Sequence, residues 1–326
     1  MIRYALLTAV LLALPCSAAQ LGAAGAQPSS PAPTGPLAIR ALQVARADRA
    51  PLAYEEPGGH VLFRVSIAGK PGWGMLDTGA SHSLIDTDFA RASGLVPIDD
   101  DTPIQTPLGD MTRSHVDAAS VLLPGQMTLN YERLYATNLK ALRVPAQRPV
   151  DFVLGQDLLN RFFVIVDPDK KTLVLAPSGL FKPSAQFQSI ALKNGKPQLE
   201  LRVDCRPVLV MIDTGKNGDL DLRPTAWERY VPASLPVGRA LAMAANGKVA
   251  RTPKAVLPRA DFGPVGLTDV EVTQRASPQA WGDGSIGMGV LRRFRFVIDI
   301  HAGALWIAPR AGAPPSPPPS ACDLKD

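Results

Sequence analysis

Met75-Leu76-Asp77-Thr78-Gly79-Ala80-Ser81 is the stretch on which the reading of this chain turns. Two apolar residues run into Asp-Thr-Gly, and small residues follow. The pattern returns at Met211-Ile212-Asp213-Thr214-Gly215-Lys216-Asn217. A given tripeptide arises by chance about once in 8,000 positions at ordinary residue usage. Two copies, each led in by Met and an aliphatic residue, point to a common cause. The offset is 213 − 77 = 136 residues. At that offset Val65, Ile67, Pro71, Met75 and Leu76 fall on Leu201, Val203, Pro207, Met211 and Ile212 without a gap.

Upstream of each motif, Phe63-x-Val65-x-Ile67 and Leu199-x-Leu201-x-Val203 alternate as half-buried strands do. Gly69-Lys70-Pro71 and Cys205-Arg206-Pro207 read as hairpin turns into a second strand that ends at the aspartate. A second matching pair lies downstream. Val153-Leu154-Gly155-Gln156-Asp157-Leu158-Leu159 and Ser285-Ile286-Gly287-Met288-Gly289-Val290-Leu291 are offset by 287 − 155 = 132 residues. Each reads as a buried strand end, a glycine and a short helix. Strands through Val164-Ile165-Val166 and Phe296-Val297-Ile298 follow, and Leu173-Val174-Leu175 and Leu305-Trp306-Ile307 close the two units. The expected fold is all-β with short helices. Two homologous lobes, residues 55–178 and 185–309, would be related by a pseudo-twofold axis. Ala176-Pro177-Ser178 reads as the joint.

The 326 residues suffice for about two domains. Proline (32) and glycine (27) favour turns and short strands over long helices. The formal charge of +5 is scattered, with no basic run or aromatic-interleaved patch, so it reads as solvated surface and nucleic acid is not an expected partner.

Residues 1–26 read as a signal peptide: Arg3, then the apolar run Ala5 to Leu14, then small residues with small-x-small sites at Ser17-Ala18-Ala19 and Ala24-Gly25-Ala26. Pro15 before Cys16 and Ala13 two places earlier fit a lipoprotein site poorly. No later segment is apolar enough for a membrane span. A periplasmic or secreted protein is expected, with a Pro-rich leader and entry segment over 27–54 and a Pro-rich, extended or disordered tail over 310–326. An oxidising compartment would permit a disulfide between Cys205 and Cys322, and two unpaired thiols are the alternative.

Asp-Thr-Gly places a carboxylate at the end of an apolar strand. Its glycine permits a sharp bend and close approach by another chain. If the axis passes between the two loops, Asp77 and Asp213 face each other at hydrogen-bond range. Two such carboxylates share a proton and titrate as a pair. That arrangement suits general acid–base hydrolysis of an amide by water.

These residues resemble the retropepsin-like and pepsin-like aspartic proteases, in an exported single-chain form with two tandem retropepsin-like lobes. Leu76-Asp77-Thr78-Gly79-Ala80-Ser81 is similar to the active-site motif. Val153-Leu154-Gly155 and Ser285-Ile286-Gly287 are similar to the element packed behind it, the second less closely. The likeness runs from about Phe63 to Ile307. It implies closed β-barrel lobes and a catalytic pair Asp77 and Asp213. Thr78, Gly79, Thr214 and Gly215 would support the loops, with the threonines bonding across the lobes. It also implies a protein or peptide substrate held under β-hairpin flaps, no cofactor, and a monomer acting as an internal pseudo-dimer. Leu108, Gly109 and Asp110 are flap candidates in the first lobe, Asn246 and Gly247 in the second, where Asn-Gly signals a two-residue hairpin. An ordinary surface hairpin is the alternative for each.

Lys216 departs from the family pattern; it would favour ionised carboxylate, or point to solvent. Asp213, Asn217, Gly218, Asp219 and Asp221 mimic a calcium loop, but Gly215 and Pro224 occupy its third and twelfth positions, so no metal is expected. His82 reads as an exposed turn residue, and Trp227 as the anchor of a short helix. The leading expectation is an aspartic endopeptidase acting through water between Asp77 and Asp213. The alternative is a non-catalytic peptide-binding protein with the same fold.

Overall fold

Each Asp-Thr-Gly motif follows a hairpin whose second strand runs straight into the aspartate. In the first, Leu62–Ile67 pairs antiparallel with Lys70–Leu76; in the second, Gln198–Val203 pairs with Arg206–Ile212. The computed structural model describes residues 39–43, 50–275 and 282–322, with backbone alone for 39–43. Residues 1–26, expected to be a signal peptide, and most of the expected leader lie outside the described residues.

Both hairpin turns sit one residue earlier than the sequence suggests. Ile67 pairs with Lys70 and Val203 with Arg206. The two-residue loops are Ala68-Gly69 and Asp204-Cys205, with φ of 48°, 83°, 52° and 60°. Positive φ at both central residues is the hairpin geometry that matches strand twist. Pro71 and Pro207 therefore lie inside strands, opposite Ser66 and Arg202.

Six strands close each lobe into a mixed barrel. In the first, Leu62–Ile67, Lys70–Leu76, Phe152–Leu154, Leu84–Asp86, Met127–Thr137 and Met111–Leu123 form the ring, which Met111–Leu123 closes against Leu62–Ile67. In the second, Gln198–Val203, Arg206–Ile212, Gly284–Ile286, Leu220–Leu222, Val265–Gln274 and Val249–Phe262 repeat the order and the closure. The parallel pairs recur in the same register: Gly74 opposite Phe152 becomes Val210 opposite Gly284. The fold is thus mostly β with short helices. Leu76, Ile85 and Leu154 in one barrel, and Ile212, Leu222 and Ile286 in the other, are fully buried within one continuous core. Trp227 does pack against this core, from the Pro224–Tyr230 helix, whose Tyr230 is the more deeply buried.

A further six-stranded antiparallel array joins the lobes. Its order is Gln188–Ala191, Ala304–Pro309, Phe294–Asp299, Phe162–Asp167, Thr172–Pro177 and Leu52–Glu55. At the centre Ile165 faces Val297, flanked by Val164 opposite Ile298 and Val166 opposite Phe296. Since 297 − 165 = 132, the offset of the downstream repeat, Ile165 and Val297 are each other's equivalents. A local twofold axis passes through that pair. Ala176 and Pro177 belong to a strand of this array, so the joint between units follows them.

As far as residue 322 the tail is extended rather than loose. Pro317 O accepts from Gly266 N at 2.7 Å, Arg259 bonds Pro318 O, and Ser320 N donates to Asp261 Oδ1 at 3.0 Å. Cys322 is disulfide-bonded to Cys205 in the hairpin turn, with Cα atoms 5.5 Å apart.

Candidate active site

Strand ends bring the two motifs together at the axis. Asp77 N donates to Leu154 O at 3.1 Å and Asp213 N to Ile286 O at 2.9 Å, so each loop leaves its barrel at the same point. Thr78 and Thr214 are fully buried between the lobes. Thr78 Oγ1 donates to Ile212 O at 2.7 Å and accepts from Thr214 N at 3.0 Å. Thr214 Oγ1 donates to Leu76 O at 2.9 Å and accepts from Thr78 N at 2.9 Å. The four bonds are twofold-symmetric and lock both loops to a common frame. Buried and mutually satisfied, they hold position more firmly than their net energy of about 1 kcal/mol each suggests, because breaking any one strands a buried partner.

On that frame the carboxyls of Asp77 and Asp213 face one another within hydrogen-bonding reach. Each is backed by the other lobe's glycine. A Cβ at Gly79 would meet Asp213 Oδ1 at 2.6 Å, and one at Gly215 would meet Asp77 Cγ at 2.5 Å. Only glycine tolerates that approach.

The two carboxyls are held unequally. Asp77 Oδ1 accepts from Gly79 N at 2.8 Å and Ala80 N at 3.2 Å, while Asp213 Oδ1 accepts from Gly215 N at 3.1 Å. Burial pushes the Asp77 carboxyl above the ordinary carboxylate range, against these donors. Asp213 is pushed up to about 7, by burial first and the charge of Asp77 second, with Lys216 and Arg275 pulling it down. Such a pair carries one proton over a wide range of mildly acidic pH.

Lys216 does not point to solvent. Its Nζ lies 3.1 Å from Asp221 Oδ2 and 3.3 Å from Ser285 O. Asp221 Oδ1 also takes Arg275 Nη2 at 2.9 Å, Ser285 N at 2.9 Å and Ser285 Oγ at 3.1 Å. The remaining calcium-like carboxylate, Asp219, accepts from Arg293 Nη2 at 2.8 Å and Glu271 N at 3.1 Å. Protein cations thus occupy the acids that mimicked a metal loop.

The flap candidates meet at their tips. Gly109 N donates to Thr106 O and Gly247 N to Ala244 O, and both glycines have positive φ, 110° and 80°. The Asn246-Gly247 loop is therefore longer than the two-residue hairpin expected: a tight turn through Ala245 and Asn246 that ends in a left-handed glycine. Asn246 Nδ2 crosses to Leu108 O at 3.2 Å and Gly109 O at 3.0 Å, and Gly109 lies beside Lys248 Nζ. Asp110 follows in the exposed first tip.

Sequence reasoning missed several neighbours. His60, 4% exposed, lies against the Gly215 backbone, and burial lowers its basicity. Gln156 Nε2 donates to Thr78 O at 2.7 Å. His82 stacks edge-on against Tyr135, ring centres 5.1 Å apart, rather than standing free. Arg275 and Ser285 were not singled out, and Asp221 was read only as part of a calcium-like loop; their partnership with Lys216 shows only in the fold.

Residues 63–158 match the family model described as Aspartyl protease. The aspartyl protease match thus takes in the first barrel from its opening strand to the helix behind Gly155, with Asp77-Thr78-Gly79 inside it. It ends before the second lobe, whose Asp213 loop is tied to it by the threonine bonds. No curated protein matches the chain.

Proposed function

We propose that the chain is an aspartic endopeptidase that hydrolyses extended protein or peptide segments with water activated between Asp77 and Asp213. The observation that carries this reading is the facing carboxyl pair on its cross-bonded threonine frame. In the proposed cycle Asp77, with two N–H donors on one oxygen, is the ionised member, and Asp213 holds the shared proton. Water attacks the scissile carbonyl carbon as Asp77 takes its proton and Asp213 gives one to the carbonyl oxygen. The tetrahedral diol then collapses: one of its hydroxyls returns a proton to Asp213, the C–N bond breaks, and the nitrogen leaves as an amine after taking the proton held by Asp77. No covalent intermediate and no cofactor are needed.

The substrate would lie between the lobes beneath the touching tips of Leu108-Gly109-Asp110 and Asn246-Gly247, adding its backbone to the flap strands. The protein would act as a monomer, each lobe serving as the other's partner. Export to the periplasm or beyond fits the signal-like residues 1–26 and the Cys205–Cys322 disulfide, which persists in oxidising compartments. Incubation with a peptide library between pH 3 and 8 tests the reading. New termini blocked by a hydroxyethylene peptide isostere support it; binding of peptides without cleavage at any pH selects the non-catalytic alternative.

A further inference from the structure

The two lobes differ just behind their aspartates. In the first, Ala80, Leu84 and Val153 pack with Met75 and Leu62 in a small apolar cluster. The strand registers give their counterparts. Leu84 faces Val153 across one ladder, and Asp221 faces Ser285 across the other. Lys216 stands where Ala80 stands, since 216 − 80 = 136. Ile85 pairs with Ala136 and Leu222 with Gln274, which sets Thr137 against Arg275. Four residues from four segments have thus changed together, from Ala, Leu, Val and Thr to Lys, Asp, Ser and Arg.

The resulting network is closed and nearly buried. Lys216 and Arg275 side chains are 19% and 10% exposed, and Asp221 is 15% exposed. Two cations flank one anion, so the network carries a net charge of +1 beside Asp213. Such a charge in a poorly hydrated place acts strongly on its neighbours. Among the described residues no equivalent charge backs Asp77.

Resting on the endopeptidase reading, we infer that Lys216, held by Asp221, Arg275 and Ser285, is a positioning residue that sets the upper pH limit of the aspartate pair's singly protonated state. The groups facing Asp213 are Asp77 from the first lobe, Lys216 on its own loop, Asp221 on the next strand and Arg275 at the end of Val265–Gln274. Those facing Lys216 are Asp221, Asp213 and Arg275. His60, whose burial disfavours its cation, lies at Gly215. Lys216 and Arg275 favour the ionised pair, and Asp77 and Asp221 oppose it. Removing Lys216 takes the network from +1 to 0, so loss of the shared proton moves to higher pH.

The experiment follows the carboxyl carbons of Asp77 and Asp213 by 13C NMR through a pH titration, alongside the pH profile of kcat/KM. Wild type, Lys216→Met, Lys216→Arg and the quadruple variant Lys216→Ala/Asp221→Leu/Ser285→Val/Arg275→Thr are compared. The last recreates the first lobe's packing and removes no partner singly, so it covers the case in which Lys216→Met does not fold. The upper titration step and the alkaline limb should both rise by on the order of one pH unit in Lys216→Met and the quadruple variant, and stay in place in Lys216→Arg. An unshifted step in the folded quadruple variant overturns the inference. The NMR titration reads this even if no variant cleaves peptide, so failure of the endopeptidase reading would appear separately, as inactivity of the wild type.

Discussion

Replacing Thr78 by Val should cost far more than one hydroxyl's worth of stability. Valine keeps the shape and the branched Cβ, so no cavity opens. What disappears is the oxygen that donates to Ile212 O at 2.7 Å and accepts from Thr214 N at 3.0 Å. Both partners sit where Thr78 and Thr214 are fully buried, out of reach of water. Each stranded group costs about 1–3 kcal/mol, which sums to roughly 2–6 kcal/mol. That is a large part of the 5–15 kcal/mol typical of whole proteins. Urea unfolding followed by tryptophan fluorescence measures it, with Thr78→Ser as the control that keeps the hydroxyl. Thr214→Val should match Thr78→Val by symmetry, and the double variant should lose less than the sum, because the two threonines share one network. A loss under about 0.5 kcal/mol for Thr78→Val, or strict additivity in the double variant, would refute the idea that these four bonds set the frame.

Two further outcomes follow from the same structure. Asp213 is held with its carboxyl raised to about 7, above its unfolded value near 3.9. Between those values the folded chain binds a proton that the unfolded chain has released, so this group's contribution is full below about pH 4 and lost as pH rises through about 7. Denaturant titrations at pH 4 and 7 should show Asp213→Asn losing less stability on that rise than wild type, and an equal loss would count against a raised Asp213. Cys322→Ser should free the tail strap along Gly266 and Asp261 and destabilise the chain by roughly 2–4 kcal/mol, as expected for a disulfide spanning a long loop; an unchanged melting temperature would show that the strap holds without it.

Much of the fold was written in the repeat. Alternation at Phe63, Val65 and Ile67, echoed at Leu199, Leu201 and Val203, fixed strand faces, and the offset of 136 residues set Asp213 opposite Asp77. What alternation cannot convey is register at a turn. Pro71 looked like a turn residue because proline punctuates loops, yet the left-handed Ala68-Gly69 pair had already reversed the chain. The array joining the lobes was also illegible, since the strands around Ile165 and Val297 are apolar on both faces and nothing local says which edges meet. The site divided in the same way. Its carboxylates and threonines stood out as motif, whereas Lys216, Asp221, Arg275 and Ser285 come from four separated segments whose partnership exists only in three dimensions. Read singly, Lys216 suggested a charge that favours ionised carboxylate or points to solvent, and Asp221 belonged to a calcium-like pattern that failed at two positions; together each satisfies the other.

The central claim is that one carboxyl from each lobe performs the chemistry. Peptide cleavage by wild type, Asp77→Asn and Asp213→Asn, each verified as folded by circular dichroism, tests it most directly. The account predicts that both asparagine variants retain the fold and the threonine frame but lose at least about 1,000-fold in kcat/KM, because neither general base nor proton donor can be supplied alone. Cleavage persisting near the wild-type rate in Asp213→Asn would contradict it, and would leave the second lobe as cover for a first lobe that works without it.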